Sequence, residues 1–207
     1  MDQIEVSTPV GPARATVHRS SGPARGTLVL GHGAGGGIEA RDLFALAAAL
    51  PAAGITVVLV EQPWRLAGRK VAAPPAQLDV AWTAVLAELR PDPPLVVGGR
   101  SAGARVACRT ARTVGASGCL ALAFPLHPPG RPDRSRAAEL LEAGVPTFVV
   151  QGERDPFGSP REFPAGTPIL ALPWADHSFG VPARAGLAPH AVTDLIVEAV
   201  LAWWPKS

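Results

Sequence analysis

Val97-Gly98-Gly99-Arg100-Ser101-Ala102-Gly103 is the stretch that decides the reading of this chain. An apolar run, Leu95 to Val97, leads into a Gly-x-Ser-x-Gly pattern, and a helix-forming stretch follows from Ala102 to Thr113. The order is strand, tight turn, helix. A turn that sharp crowds the residues flanking it, so Gly99 and Gly103 supply room rather than chemistry. Ser101 then stands above the end of a strand, at the start of a helix whose dipole favours negative charge nearby. The reaction class this points to is acyl transfer through a serine ester. The pattern alone is weak, because 22 of the 207 residues are glycine and serine is favoured as a cap at any helix start. Its partners have to be found elsewhere in the chain.

Length and composition narrow the search. A chain of 207 residues fits one domain, 1–207, with a core large enough to need no disulfides. Hydrophobic content of 47% against 17% charged describes a compact globular protein. The net charge is +2 and no run of like charges exceeds Arg69-Lys70, which argues against a nucleic-acid surface. Cys108 and Cys119 fall in a predicted helix and a predicted strand and read as buried free thiols of a reducing compartment. Met1-Asp2-Gln3-Ile4-Glu5 is acidic and has no apolar core, so it does not read as a signal peptide. No apolar run approaches the ~20 residues of a membrane span. No His-Glu-x-x-His and no clustered Cys/His set is present, so neither a metal nor another cofactor is expected. The expectation is a cytoplasmic monomer or homodimer acting on a small acyl substrate, with no nucleic-acid or membrane partner.

Strands and helices alternate. Glu5 to Thr8 and Ala15 to Arg19 flank a Pro9-Val10-Gly11-Pro12 turn and predict a hairpin. Further strands are predicted at Thr27–Leu30, Ile55–Val60, Leu95–Val97, Cys119–Phe124, Val145–Val150 and Ile169–Leu172. Helices are predicted at Ala40–Ala53, with Leu43, Phe44, Ala47 and Leu50 on one face, and at Gln77–Leu89, Ala102–Thr113 and Arg136–Ala143. The last, His190–Trp204, carries Val192, Leu195, Ile196, Ala199, Val200 and Trp203 along one stripe. A Pro-rich loop spans Pro63 to Pro75. Repeated strand–helix units imply an α/β fold, a mainly parallel sheet with helices on both faces and an N-terminal antiparallel hairpin. Ligands of such sheets bind at the carboxyl ends of the strands.

Four strand ends carry unusual residues: Gly31-His32-Gly33-Ala34-Gly35-Gly36-Gly37, the Ser101 turn, Gln151-Gly152-Glu153-Arg154-Asp155-Pro156-Phe157, and Pro173-Trp174-Ala175-Asp176-His177-Ser178-Phe179. A serine hydroxyl is a poor nucleophile until a base takes its proton, and His177 can do so near neutral pH. A carboxylate must fix the imidazole, a role offered to Asp155. Glu153 and Asp176 are rivals. Asp176 is the poorer choice, because neighbouring side chains in an extended loop point apart. The N–H of Ala34, or of a neighbour in the glycine loop, and that of Ala102 would form the oxyanion hole.

One segment argues for something else. Gly31-His32-Gly33-Ala34-Gly35-Gly36 is Gly-x-Gly-x-x-Gly after a strand, and Glu61 ends the next strand where a ribose-binding acid would sit. A dinucleotide-binding fold is therefore a weaker alternative. It leaves Ser101, Asp155 and His177 unexplained, and a hairpin precedes the motif. A P-loop is excluded, since no Gly-Lys-Ser/Thr follows the glycines.

Together with Phe124-Pro125-Leu126-His127-Pro128-Pro129-Gly130, these motifs give the chain its resemblance. It resembles the small lidless α/β-hydrolases related to the dienelactone hydrolases. More narrowly it resembles bacterial hydrolase-like proteins similar to the testis-expressed hydrolase-like protein and to a scaffold subunit of a histone acetyltransferase complex. The resemblance implies Ser101 as nucleophile, Asp155 as acid and His177 as base, and it implies no substrate. It departs at one position: the residue after the serine is often Met in the family and is Ala102 here, which changes pocket volume and keeps the N–H. One relative being a complex subunit keeps a non-catalytic interaction module as the alternative. For the pocket, the loop after the Ile55–Val60 strand offers Trp64, Arg65, Arg69 and Lys70, the basic residues as partners for an anionic substrate group or as a solvated face. His127 either lines the site or locks its Pro-rich loop. Phe124, Phe157, Trp174 and Phe179 are candidate apolar walls.

Overall fold

Apolar side chains dominate the central strands because those strands are buried on both faces. The computed structural model describes residues 2–188 and 190–205. Among these residues it has one eight-stranded sheet. The strands are β1 (Asp2–Thr8), β2 (Gly11–His18), β3 (Gly26–Gly31), β4 (Ile55–Glu61), β5 (Leu95–Arg100), β6 (Gly118–Leu122), β7 (Thr147–Gly152) and β8 (Ile169–Leu172). Their order is β1-β2-β4-β3-β5-β6-β7-β8. β2 lies antiparallel to both β1 and β4, and every other pairing is parallel. The helices are α1 (Arg41–Ala49), α2 (Pro63–Leu66), α3 (Pro75–Leu89), α4 (Ala102–Thr110), α5 (Ala137–Leu141) and α6 (Ala191–Trp203).

Alternation along each strand feeds two cores. In β3, Leu28 and Leu30 enter the core under α1 and α6, while Val29 enters the core under α3, α4 and α5. The second helix layer is tied by charge as well. Arg109 of α4 reaches Asp79 of α3 at 2.6 Å and Glu139 of α5 at 3.0 Å, and Arg105 also holds Glu139. Burial pushes the Glu139 carboxyl up, but the hydrogen bonds and charges of the two arginines outweigh it and hold the group below its usual range. Among the described residues, no separate lid is inserted between β6 and α5.

Several expected boundaries move, each for a local reason. The hairpin turn is Pro9-Val10 alone. Thr8 pairs with Gly11 across it, so Gly11 and Pro12 belong to β2, and Arg19 lies beyond β2. β5 runs on through Gly98 and Gly99 because its ladder with β6 continues there, and a Cβ at Gly98 would sit 2.6 Å from the Leu120 carbonyl oxygen. The Ala40–Ala53 helix tightens into a 3-10 turn at Leu50–Ala53, where Pro51 has no N–H to donate. Its buried face carries Leu46, and Phe44 is 63% exposed. On α6, Leu195 faces solvent while Val192, Ile196 and Val200 are buried. The predicted Pro-rich loop holds the short helix α2, with Pro63 at its first position. α4 stops at Thr110, and β6 stops at Leu122, before Ala123 turns to a φ of 46°.

The two faces of α1 give a test. Leu46→Ala is expected to lower unfolding free energy by about 2–5 kcal/mol in urea titrations, and Phe44→Ala to change it by less than about 0.5 kcal/mol. Equal losses would place both side chains in the core.

Candidate active site

The strand that carries the serine ends at Arg100, and the next residue turns the chain. Ser101 has φ 53° and ψ −110°, a conformation that costs a non-glycine residue of order 1–3 kcal/mol. Its N–H donates to the Leu122 carbonyl at 2.9 Å, and its own carbonyl accepts from Arg105 at 3.2 Å. The flanking glycines are required by space. A Cβ at Gly103 would overlap the Gly31 carbonyl, and one at Gly99 would lie 2.5 Å from the same oxygen. The turn therefore rests directly on the end of β3.

His177 lies in the loop after β8. Ser101 Oγ donates to His177 Nε2 at 3.0 Å, and His177 Nδ1 donates to Asp155 Oδ2 at 2.8 Å. The Asp155 side chain has no exposed surface. Its other oxygen accepts the Phe157 N–H at 2.8 Å. Gln151, fully buried at the end of β7, donates to Asp155 Oδ2 at 2.9 Å and to the Gly158 carbonyl at 2.7 Å. Gly152 lets this turn touch the histidine loop, since a Cβ there would meet the backbone of Ala175 and Asp176. The rival acids are occupied elsewhere. Asp176 accepts the Ser178 and Gly180 N–H groups and so shapes its own loop, and Glu153 accepts the Trp174 N–H.

The glycine loop after β3 forms the opposite wall. His32 is buried, and its Nδ1 donates to the Gly33 carbonyl at 2.8 Å while its Nε2 accepts the Gln62 N–H at 3.1 Å. Burial keeps its basicity below the usual histidine value, which suits the neutral tautomer that these two bonds demand. In a trans peptide the N–H points opposite to the C=O. Anchoring Gly33 C=O on His32 thus turns the Ala34 N–H away from that ring. Ala102 opens α4, where the first N–H groups have no helical acceptor.

A cleft of about 160 Å³ lies over Ser101, lined by Gly33 to Gly37, Ala40, Arg100, His177 and Ser178. The expected pocket side chains do not line it. Arg65 pairs with Glu39 at 3.5 Å. Trp64 and Arg69 face a separate groove of about 300 Å³ beside the hairpin turn. Lys70 lines neither. His127 donates to the Pro128 carbonyl at 2.9 Å and meets Glu162 at 3.0 Å, so it locks its Pro-rich loop. Phe157 packs on the His177 ring, 4.2 Å between centroids, and Phe179 lies under the Arg100 guanidinium. Phe124 is core, and Trp174 is half-exposed. Ala102 is not among the residues lining this cleft and borders a separate void of only about 10 Å³. Glu61, the would-be ribose acid, pairs with Arg14 at 3.6 Å. Among the described residues, no three His, Cys, Asp or Glu side chains converge as metal ligands would. Gln151 and Arg100 are the site residues that sequence reasoning passed over as functional groups.

The alpha/beta hydrolase domain family matches residues 24–204. The chain belongs to that family. The dinucleotide reading of the glycine loop is thereby overturned. Solved α/β-hydrolases share the fold at low identity. A serine hydrolase homologue from Coxiella burnetii aligns with TM-score 0.75 and 17% identity over 96% of this chain and 97% of that one. The lidless serine hydrolase XC6422 from Xanthomonas campestris aligns with TM-score 0.70 and 20% identity over 100% and 96%. A dienelactone hydrolase from Anabaena variabilis aligns with TM-score 0.71 and 18% identity over 96% and 94%. No curated protein matches. Among the described residues, no helix is long and apolar enough to cross a membrane.

Two outcomes follow from this geometry. Gly103→Ala is expected to lose more than about 3 kcal/mol of stability, because backbone rather than a yielding side chain blocks the new methyl. A melting temperature equal to wild type would contradict the contact. The Pro128 carbonyl and then Glu162 raise the affinity of His127 for its proton. The stability so gained is complete below the ordinary histidine value of 6.5 and is lost as pH rises through the raised folded-state value. His127→Gln is therefore expected to destabilise more at pH 6 than at pH 9, read by denaturant titration at both.

Proposed function

We propose that this α/β-hydrolase cleaves an ester, thioester or related acyl bond through an acyl-enzyme on Ser101. The observation that carries the reading is the unbroken hydrogen-bond chain from Ser101 through His177 to the buried Asp155. Ser101 Oγ attacks the acyl carbon as His177 Nε2 takes its proton. Asp155 holds the tautomer and stabilises the imidazolium. The N–H groups of Ala34 and Ala102 receive the oxyanion, and losing one such donor typically costs ~10²–10³ in rate. The imidazolium then protonates the leaving group. Water, deprotonated by the same nitrogen, releases the acid and restores the serine.

The names of similar folds, a lidless serine hydrolase and a dienelactone hydrolase, support this class. We also read residues 1–207 as one domain of a cytoplasmic enzyme, monomeric or homodimeric. We place it with the narrower group similar to the testis-expressed hydrolase-like protein, on its glycine-loop, serine, acid and histidine motifs.

A fluorophosphonate probe followed by intact mass tests the assignment. One adduct is expected on wild type and none on Ser101→Ala or His177→Ala. A folded wild type that takes no adduct would refute it and leave the interaction-module reading. Labelling that survives Ser101→Ala would move the nucleophile elsewhere.

A further inference from the structure

Arg100, the residue just before the serine, bridges two parts of the molecule that are far apart in sequence. Its Nη2 donates to the backbone carbonyl of His177 at 2.7 Å. Its guanidinium carbon lies 5.8 Å from the centroid of Phe179, two residues further along the same loop. Its Nη1 stands 3.6 Å from Oδ1 of Asp42 in the first turn of α1. The Arg100 side chain is 15% exposed and that of Asp42 only 2%. Both are charges taken largely out of water, which is costly unless they are paired.

Besides Arg100, the Asp42 carboxylate is favoured by the backbone N–H groups of its own turn, at Asp42 and Leu43. Its Oδ2 is buried with no hydrogen-bond partner among the described residues. Burial raises its affinity for a proton, and the Arg100 charge opposes that most strongly. The helix dipole of α1 favours a negative charge in this turn. What the carboxylate does in return is fix where a flexible guanidinium points.

We propose that Asp42 and Arg100 form a positioning pair that holds the His177 loop at hydrogen-bonding distance from Ser101. The inference rests on the assignment of His177 as base. Neither residue needs to touch substrate. Arg100 binds the base through its backbone, so the imidazole keeps both nitrogens for Asp155 and Ser101. A planar fork with several N–H groups can meet a carboxylate and a carbonyl at once, whereas an ammonium is a single point. Displacing a reacting group by about 1 Å can cost about 10²-fold in rate.

The test compares Arg100→Met, Arg100→Lys and Asp42→Asn with wild type by two readouts. The first is the downfield proton resonance of the hydrogen bond between His177 Nδ1 and Asp155, which requires no turnover. The second is kcat and KM on p-nitrophenyl acetate, with the rate of fluorophosphonate labelling alongside. Arg100→Met is expected to broaden or lose the resonance and to lower kcat by about 10–100-fold, with KM within about threefold. Arg100→Lys is expected to recover part of both. Asp42→Asn is expected to fall between wild type and Arg100→Met.

An Arg100→Met protein with the wild-type resonance and kcat overturns the proposal. So does a loss confined to KM, which would make Arg100 a substrate contact. If Arg100→Met does not fold, Arg100→Lys and Asp42→Asn decide by the same criteria, and wild-type values in both overturn it. Wild type showing the resonance but neither turnover nor labelling would defeat the hydrolase reading. The resonance series would still test the pair.

Discussion

Backbone meets backbone where Gly99 and Gly103 lie against Gly31, with no side chain between them. This contact seats the start of α4 on the end of β3, and the placement of the site follows from it. The serine stands up because the chain must reverse within one residue. The glycine loop begins at Gly31, so the wall it builds is fixed relative to Ser101 by the same contact. A methyl group at either flank would push Ser101 and that wall apart.

The remaining parts of the site reach that point from the other half of the sheet. β7 and β8 end side by side, with Gly152 opposite Leu172, and Gly152 admits the histidine loop against the acid turn. Polar residues that are mostly buried hold these loops from behind. Gln151 spans Asp155 and Gly158, His32 holds Gly33, and the Arg100–Asp42 pair reaches the His177 carbonyl. Each replaces a hydrogen bond to water with one to backbone or carboxylate, which confers direction at little net gain in stability.

The sheet, its hairpin and the strand ends that bring Ser101, Asp155 and His177 together were legible because they rest on local signals. β-branched runs mark doubly buried strands, and Gly-x-Ser-x-Gly marks a turn that few other residues could make. That Asp155 rather than Asp176 reaches the His177 ring was legible too, since alternation along a loop separates neighbours. What failed depended on distance across the fold. Trp64 and Arg69 follow a strand that points toward the site, yet α2 turns the segment so that they face a groove beside the hairpin, while Arg65 goes to Glu39. Phe44 fits a helical stripe as well as Leu46 does, and only the position of the sheet decides between them. The role of Arg100 could not be read, because its partners, Asp42 and His177, lie 58 and 77 residues away.

The cleft has a wall made of Gly33 to Gly37, interrupted only by Ala34. Such a wall presents amides and almost no side chains. A molecule lying against that wall would meet polar backbone rather than a shaped apolar surface, so the wall would read the position of its hydrogen-bonding atoms more closely than the outline of its hydrocarbon.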